Sequence, residues 1–166
     1  MKEQLRKFSD ELRSKIKLFS KKRIDISEFI AGYDISNEDL SNSYISNLYQ
    51  VEQNMSSCNL SNSTVKLIAT KADARNCNFS FTQFLPGSNF SHADCRGSNF
   101  GSCNAANINF SYADLRDVNC CNSTFTLFSK QFYRAKFSKQ FVYYLKRFLD
   151  VETLGVTDTD IEDLNT

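Results

Sequence analysis

The chain has 166 residues, 13% aromatic and 41% hydrophobic, with 15 Phe, no Trp and a net charge of +1. That is enough apolar material for one domain with a modest core, and too much for a disordered chain. No apolar run approaches the roughly 18–20 residues needed to cross a bilayer, and the charged start lacks the apolar centre of a signal peptide, so the expected location is the cytoplasm, with non-classical secretion left open.

Residues 1–23 hold nine Lys/Arg against three Asp/Glu. Within 2–20, Leu5, Phe8, Leu12, Ile16 and Phe19 recur at helical spacing and predict one amphipathic helix. Its stripe is read as a cap over the start of the core, near Ile30 and Ile35. The alternative is an anchor, in which Lys15, Lys17, Lys21, Lys22 and Arg23 draw the helix to an anionic membrane or partner.

Residues 24–127 follow another rhythm. An apolar residue or cysteine returns every fifth position at Phe90, Cys95, Phe100, Ala105, Phe110, Leu115, Cys120 and Phe125, the period of neither a helix nor a strand. Two positions earlier stands a smaller residue: Ser88, Ala93, Ser98, Cys103, Ala113, Val118 and Ser123. Residues two apart in an extended segment share a face, so both point inward, with Asn or Asp between them pointing out. The other two positions carry turn formers. Upstream, Ala74, Phe79 and Phe84 form one set, and Ile35, Leu40, Ile45, Met55, Leu60 and Val65 another. One residue is lost near 66–69 and one gained at Leu85-Pro86-Gly87, while Gln50 is a poor centre.

This pattern resembles the pentapeptide repeat family over about residues 26–127, with Ala93-Asp94-Cys95 and Ala113-Asp114-Leu115 close to its A(D/N)LXX consensus. The resemblance implies an all-β, right-handed, quadrilateral parallel β-helix of about five coils, with a helix at each end. Four pentapeptides per coil would stack Leu40, Leu60, Phe79, Phe100 and Cys120 in one inward column, and Ile45, Val65, Phe84, Ala105 and Phe125 in another. Cys58 and Cys77 would share a small-residue column as free buried thiols, since the six cysteines sit inside the periodic pattern.

After residue 127 the register is lost. Phe137, Phe141, Tyr144, Leu145 and Phe148 predict a helix over 136–150, within a segment 128–150 read as a cap or dimerisation helix. Phe141, Tyr144, Leu145 and Phe148 are the candidate seam of a homodimer. Residues 151–166 form an acidic tail, whose Asp158/Asp160/Glu162/Asp163 cluster lacks the glycine and spacing of a calcium loop.

The lone His92 stands on a corner and Cys95 points inward, so the two make no nucleophilic pair. No catalytic, cofactor or metal residues are assigned, and no enzyme activity or direct nucleic-acid binding is expected. The favoured function is a protein–protein interaction module for a partner the sequence does not name. The alternatives are a DNA mimic binding a type II topoisomerase, as the quinolone-resistance group implies, and a secreted effector or virion component anchored by its basic helix. The middle, net acidic by only three charges (eight acids against five bases over 34–117), gives the mimic little support.

Overall fold

The structure is a computed structural model, and it describes residues 5–106, 108–125 and 131–148, with side chains as far as 143. Two helices, α1 (Asp10–Lys21) and the single turn α2 (Ser27–Ile30), precede β1 (Tyr44–Tyr49), β2 (Thr64–Ile68), β3 (Gln83–Phe84), β4 (Asp114–Leu115) and β5 (Lys136–Phe137). Helix α3 (Lys139–Phe148) follows. All pairing is parallel: β1-β2-β3 form one sheet and β4-β5 another. Single bridges supply the rest, as in Asp39–Asn59, Asn59–Asn78, Asn78–Asn99 and Asn99–Asn119. The chain therefore returns over itself about every twenty residues, each layer hydrogen-bonded to the next.

The fifth-residue positions form the core. Phe79, Phe90, Phe100 and Phe110 are fully buried, together with Leu40, Leu60, Met55, Cys95, Ala105 and Leu115. Phe79 lies 4.7 Å from Phe100 by ring centroids, and Phe90 stacks on Phe110 at 5.4 Å. Both register slips fall where the spacing put them. Pairing passes from Ile45–Val65 to Leu48–Leu67, so three steps on β1 match two on β2 at Lys66. The extra residue sits in a β-turn closed by the Ser88 N–H on the Leu85 carbonyl at 3.2 Å. Its central residues are Pro86 and Gly87, the latter at φ 85°, as a type II turn requires.

The structure corrects several boundaries. Helix α1 begins at Asp10 rather than near residue 2, because Ser9 caps it, its hydroxyl accepting from the Leu12 N–H at 3.1 Å. Upstream, Arg6 is extended and bridges Tyr33 in parallel. Gln50, the poor centre, does occupy the inward position, buried with its Oε1 unpartnered. The repeat also runs past residue 127. Phe132 stacks on Phe110 at 5.5 Å and β5 pairs Phe137 with Leu115, so 136–137 are strand and the helix starts at Lys139. An aromatic ring in step with the column below outweighs the helical spacing read from Phe137 onward.

Both described ends of the stack are covered. Helix α1 turns Ile16 and Ser20 inward, and Phe19 meets Phe29 at 4.9 Å. Phe8, just ahead of it, packs edge-on against Tyr33 at 5.3 Å. Arg13 binds both carboxylate oxygens of Glu38, at 2.9 and 2.7 Å, and Lys7 pairs with Asp34. At the other end α3 buries Phe141 and Val142 against Phe137 and Phe132. No described helix is long and apolar enough to cross a membrane.

Candidate functional site: the outward ladders

Most corners hold the residue two after the centre at positive φ, among them Asn42, Ser57, Asn62, Asn76, His92, Ser102 and Tyr112. Non-glycine residues rarely adopt this conformation, and Asn tolerates it best. At several of them the N–H three residues after the centre donates to that centre's carbonyl, as Ala93 does to Phe90 and Cys103 to Phe100, at 3.0 and 3.2 Å. At others that N–H donates to a serine hydroxyl of the next layer, as Ser43 does to Ser63 and Cys77 to Ser98, at 3.1 and 3.0 Å. The Asn or Asp before the centre locks the turn from outside. Its Oδ1 accepts the N–H two residues on, from Ser61 to Asn59, Ser80 to Asn78 and Gly101 to Asn99 at 2.9–3.1 Å. Sequence reasoning placed these Asx residues outward but missed that they are turn clamps. Their place two before Ser, Arg or Gly was the signal.

Stacking turns the corners into ordered rows. One row is amide: Asn59 Nδ2 donates to Asp39 at 3.0 Å and Asn119 Nδ2 to Asn99 at 2.9 Å. A second row is charged. Arg75, Arg96 and Arg116 grip Asp73, Asp94 and Asp114 of their own layers at 2.6–2.7 Å. Arg75 and Arg96 also reach the aspartate one layer up, at 3.8 Å. The arginine hydrogen bonds hold the Asp73 and Asp94 carboxyls below the usual carboxylate range. A third row is aromatic: His92 lies flat on Tyr112 at 4.6 Å, and Tyr112 meets Tyr133 edge-on at 5.5 Å.

A test of the charged row follows. A carboxylate whose folded pKa is lowered contributes stability fully above its unfolded value, near 4, and loses it as pH falls through the folded value. Thermal melting should therefore stay level from neutral pH down to about 4 and decline below it. In a protein with Asp73 and Asp94 both changed to Asn, that acid limb should flatten. An unchanged limb would show that the row contributes nothing to acid stability.

The residues singled out in the sequence fall as follows. Lys15, Lys17, Lys21, Lys22 and Arg23 are all exposed on or just after α1, and Lys15 pairs with Glu11 at 2.9 Å. Phe141 is 3% exposed and belongs to the core, so any outward strip of α3 is built without it. The side chains of Tyr144, Leu145 and Phe148, and the acidic segment 151–166, lie outside the described residues. His92 and Cys95 are apart in environment, one exposed on a corner and the other fully buried. Cys58 and Cys77 are free and buried, and burial pushes the Cys77 thiol up to about 12. Among the described residues no cluster of His, Cys, Asp and Glu could hold a metal ion. The void bounded by Phe100, Phe110, Leu115, Val118, Phe125 and Phe132 is too small to admit water.

The model of pentapeptide repeats matches eight copies over residues 88–126, the stretch where the fifth-residue rule is unbroken. That stretch of the chain matches the pentapeptide repeat family. Among solved structures, the pentapeptide repeat protein Rfr23 from the cyanobacterium Cyanothece 51142 is similar at 19% identity and a TM-score of 0.50. The match covers 53% of this chain and 60% of that one, so this chain spans less than two thirds of its relative's length. A pentapeptide repeat protein from the thylakoid lumen of Arabidopsis thaliana matches at 22% identity and a TM-score of 0.39, over 75% of this chain and 81% of its own. No curated protein matches. The likeness to these structures is one of fold, parallel strands stacked layer on layer.

Proposed function

We propose that this pentapeptide repeat protein is a non-catalytic interaction module whose outward rows receive a protein partner. The spacing of about twenty residues between layers, with four inward centres in each, supports a closed, right-handed, four-sided β-helix of about five coils. One observation carries the functional reading: chemically distinct side chains repeat in register along the stack, while the interior is filled. The Asp73–Arg75, Asp94–Arg96 and Asp114–Arg116 row offers both signs of charge at fixed intervals. A mimic of duplex DNA needs rows of uncompensated negative charge, and here each aspartate of the row has its own arginine, which favours a protein partner instead.

The test is Arg75→Ala/Arg96→Ala/Arg116→Ala. Exposed ion pairs of this kind contribute little to stability, so the variant should stay folded with a modestly lower melting temperature. Partners crosslinked to the parent chain in its producing cell should be lost from the variant. Equal capture by parent and variant would refute a role for this row.

A further inference from the structure

Helix α1 presents two faces of different chemistry. The inward face is spent on the core through Ile16 and Ser20, with Leu12 and Phe19 packed against it. The outward face is not purely polar: Leu18 is 49% exposed, and beyond the helix Ile24 and Phe29 are 40% and 42% exposed. Around these apolar tips stand Lys17, Lys21, Lys22 and Arg23, all exposed. Among the described residues none of these four has a carboxylate at ion-pair distance, unlike Lys7, Arg13 and Lys15. Asp39, which lines one groove with Lys17 and Lys21, already takes the Asn59 amide and the Ser41 N–H.

The helix end joins the two kinds of residue. Arg23 turns the chain at φ 52°, a position where glycine is usual, and the Ile24 N–H reaches back to the Phe19 carbonyl at 3.1 Å. This closure brings the Ile24 backbone to Phe19, whose ring meets Phe29 at 4.9 Å, while keeping a base at the turn. It also gathers the cations at the helix C-terminus, where the helix dipole favours them.

We infer that this outward face docks on an anionic lipid bilayer, while the opposite face of the same helix caps the core. An acidic peptide or a nucleic acid would need only the bases. The exposed Leu18, Ile24 and Phe29 find a favourable place at the boundary of headgroups and acyl chains, and the bases around them find anionic headgroups. Capping and membrane docking are thus two faces of one helix rather than rival roles.

The chain has no tryptophan, so Leu18→Trp supplies a single reporter at the centre of the face. With phosphatidylserine-containing vesicles its emission should shift to the blue and the full chain should sediment with the lipid. Pure phosphatidylcholine should do neither. Lys17→Gln, Lys21→Gln and Lys22→Gln should each weaken binding roughly fivefold, and added salt should weaken it further. Leu18→Asp should abolish binding and leave the melting temperature unchanged. The inference fails if binding ignores phosphatidylserine, or if Leu18→Asp binds vesicles as the parent does. It also fails if the parent prefers an acidic peptide or an oligonucleotide to the vesicles.

Discussion

Replacing Phe100 with alanine should destabilise the fold by about 3–5 kcal/mol, the usual cost of deleting a buried aromatic ring. Phe100 is 1% exposed and lies 4.7 Å from Phe79, 5.5 Å from Phe110 and 5.7 Å from Phe90 by ring centroids. Its removal empties a junction between two columns, and the stacked layers above and below are too tightly hydrogen-bonded to collapse into the gap. Asn99→Ala, one residue away and pointing out, should cost far less. It loses the clamp on the Gly101 N–H and the contact from Asn119, both partly exposed, for about 1 kcal/mol. Chemical denaturation of the two variants side by side checks this. Equal losses would refute the inward–outward assignment.

Deleting residues 1–21 should produce the second large effect. A stack of layers exposes a slice of core at its end, and repeat proteins need a polar cap there to stay folded and soluble. The deletion would uncover Ile30, Ile35, Leu40 and the inner face of Phe29, and would release Glu38 and Asp34 from Arg13 and Lys7. The truncated chain should melt well below the parent or aggregate on expression. A milder companion, Ile16→Ser, should lower stability by about 2–4 kcal/mol without removing any charge. A truncation that melts with the parent would mean the packing of Ile16 and Phe8 contributes nothing.

The repeat was legible because an inward position every fifth residue is a demand on volume, and volume is written in residue type. Phe90, Phe100 and Phe110 announce themselves, and even the slips at Lys66 and Pro86 show as one residue missing or added. Gln50 was harder to read, because the backbone ladder holds its place inward whatever side chain it carries. The end of the repeat was misjudged for a related reason. Phe132 and Phe137 complete columns from below, and only the positions of Phe110 and Leu115 reveal that. Helix α1 lost its first turns to a competition the spacing does not display: Ser9 offers a cap, and the backbone of Arg6 finds a partner in Tyr33. The outward rows were legible as composition but not as function. Asp94 and Arg96, two apart in sequence, pair within one layer, and the further reach of Arg96 to Asp114 depends on the stacking distance.

The evenness of the charged row has a consequence for anything that docks on it. Asp73, Asp94 and Asp114 sit one layer apart, at intervals set by backbone hydrogen bonds rather than by the side chains themselves. A partner displaced by one layer would meet nearly the same contacts, so the row alone specifies a direction of approach and leaves the position along it ambiguous. What breaks that translational degeneracy is the set of departures from the rule. The shortened step at Lys66, the Pro86-Gly87 turn and the exposed ring of Phe81 each occur once along their rows. These irregularities act as index marks on an otherwise uniform scale, and a partner that touches one of them has a unique address.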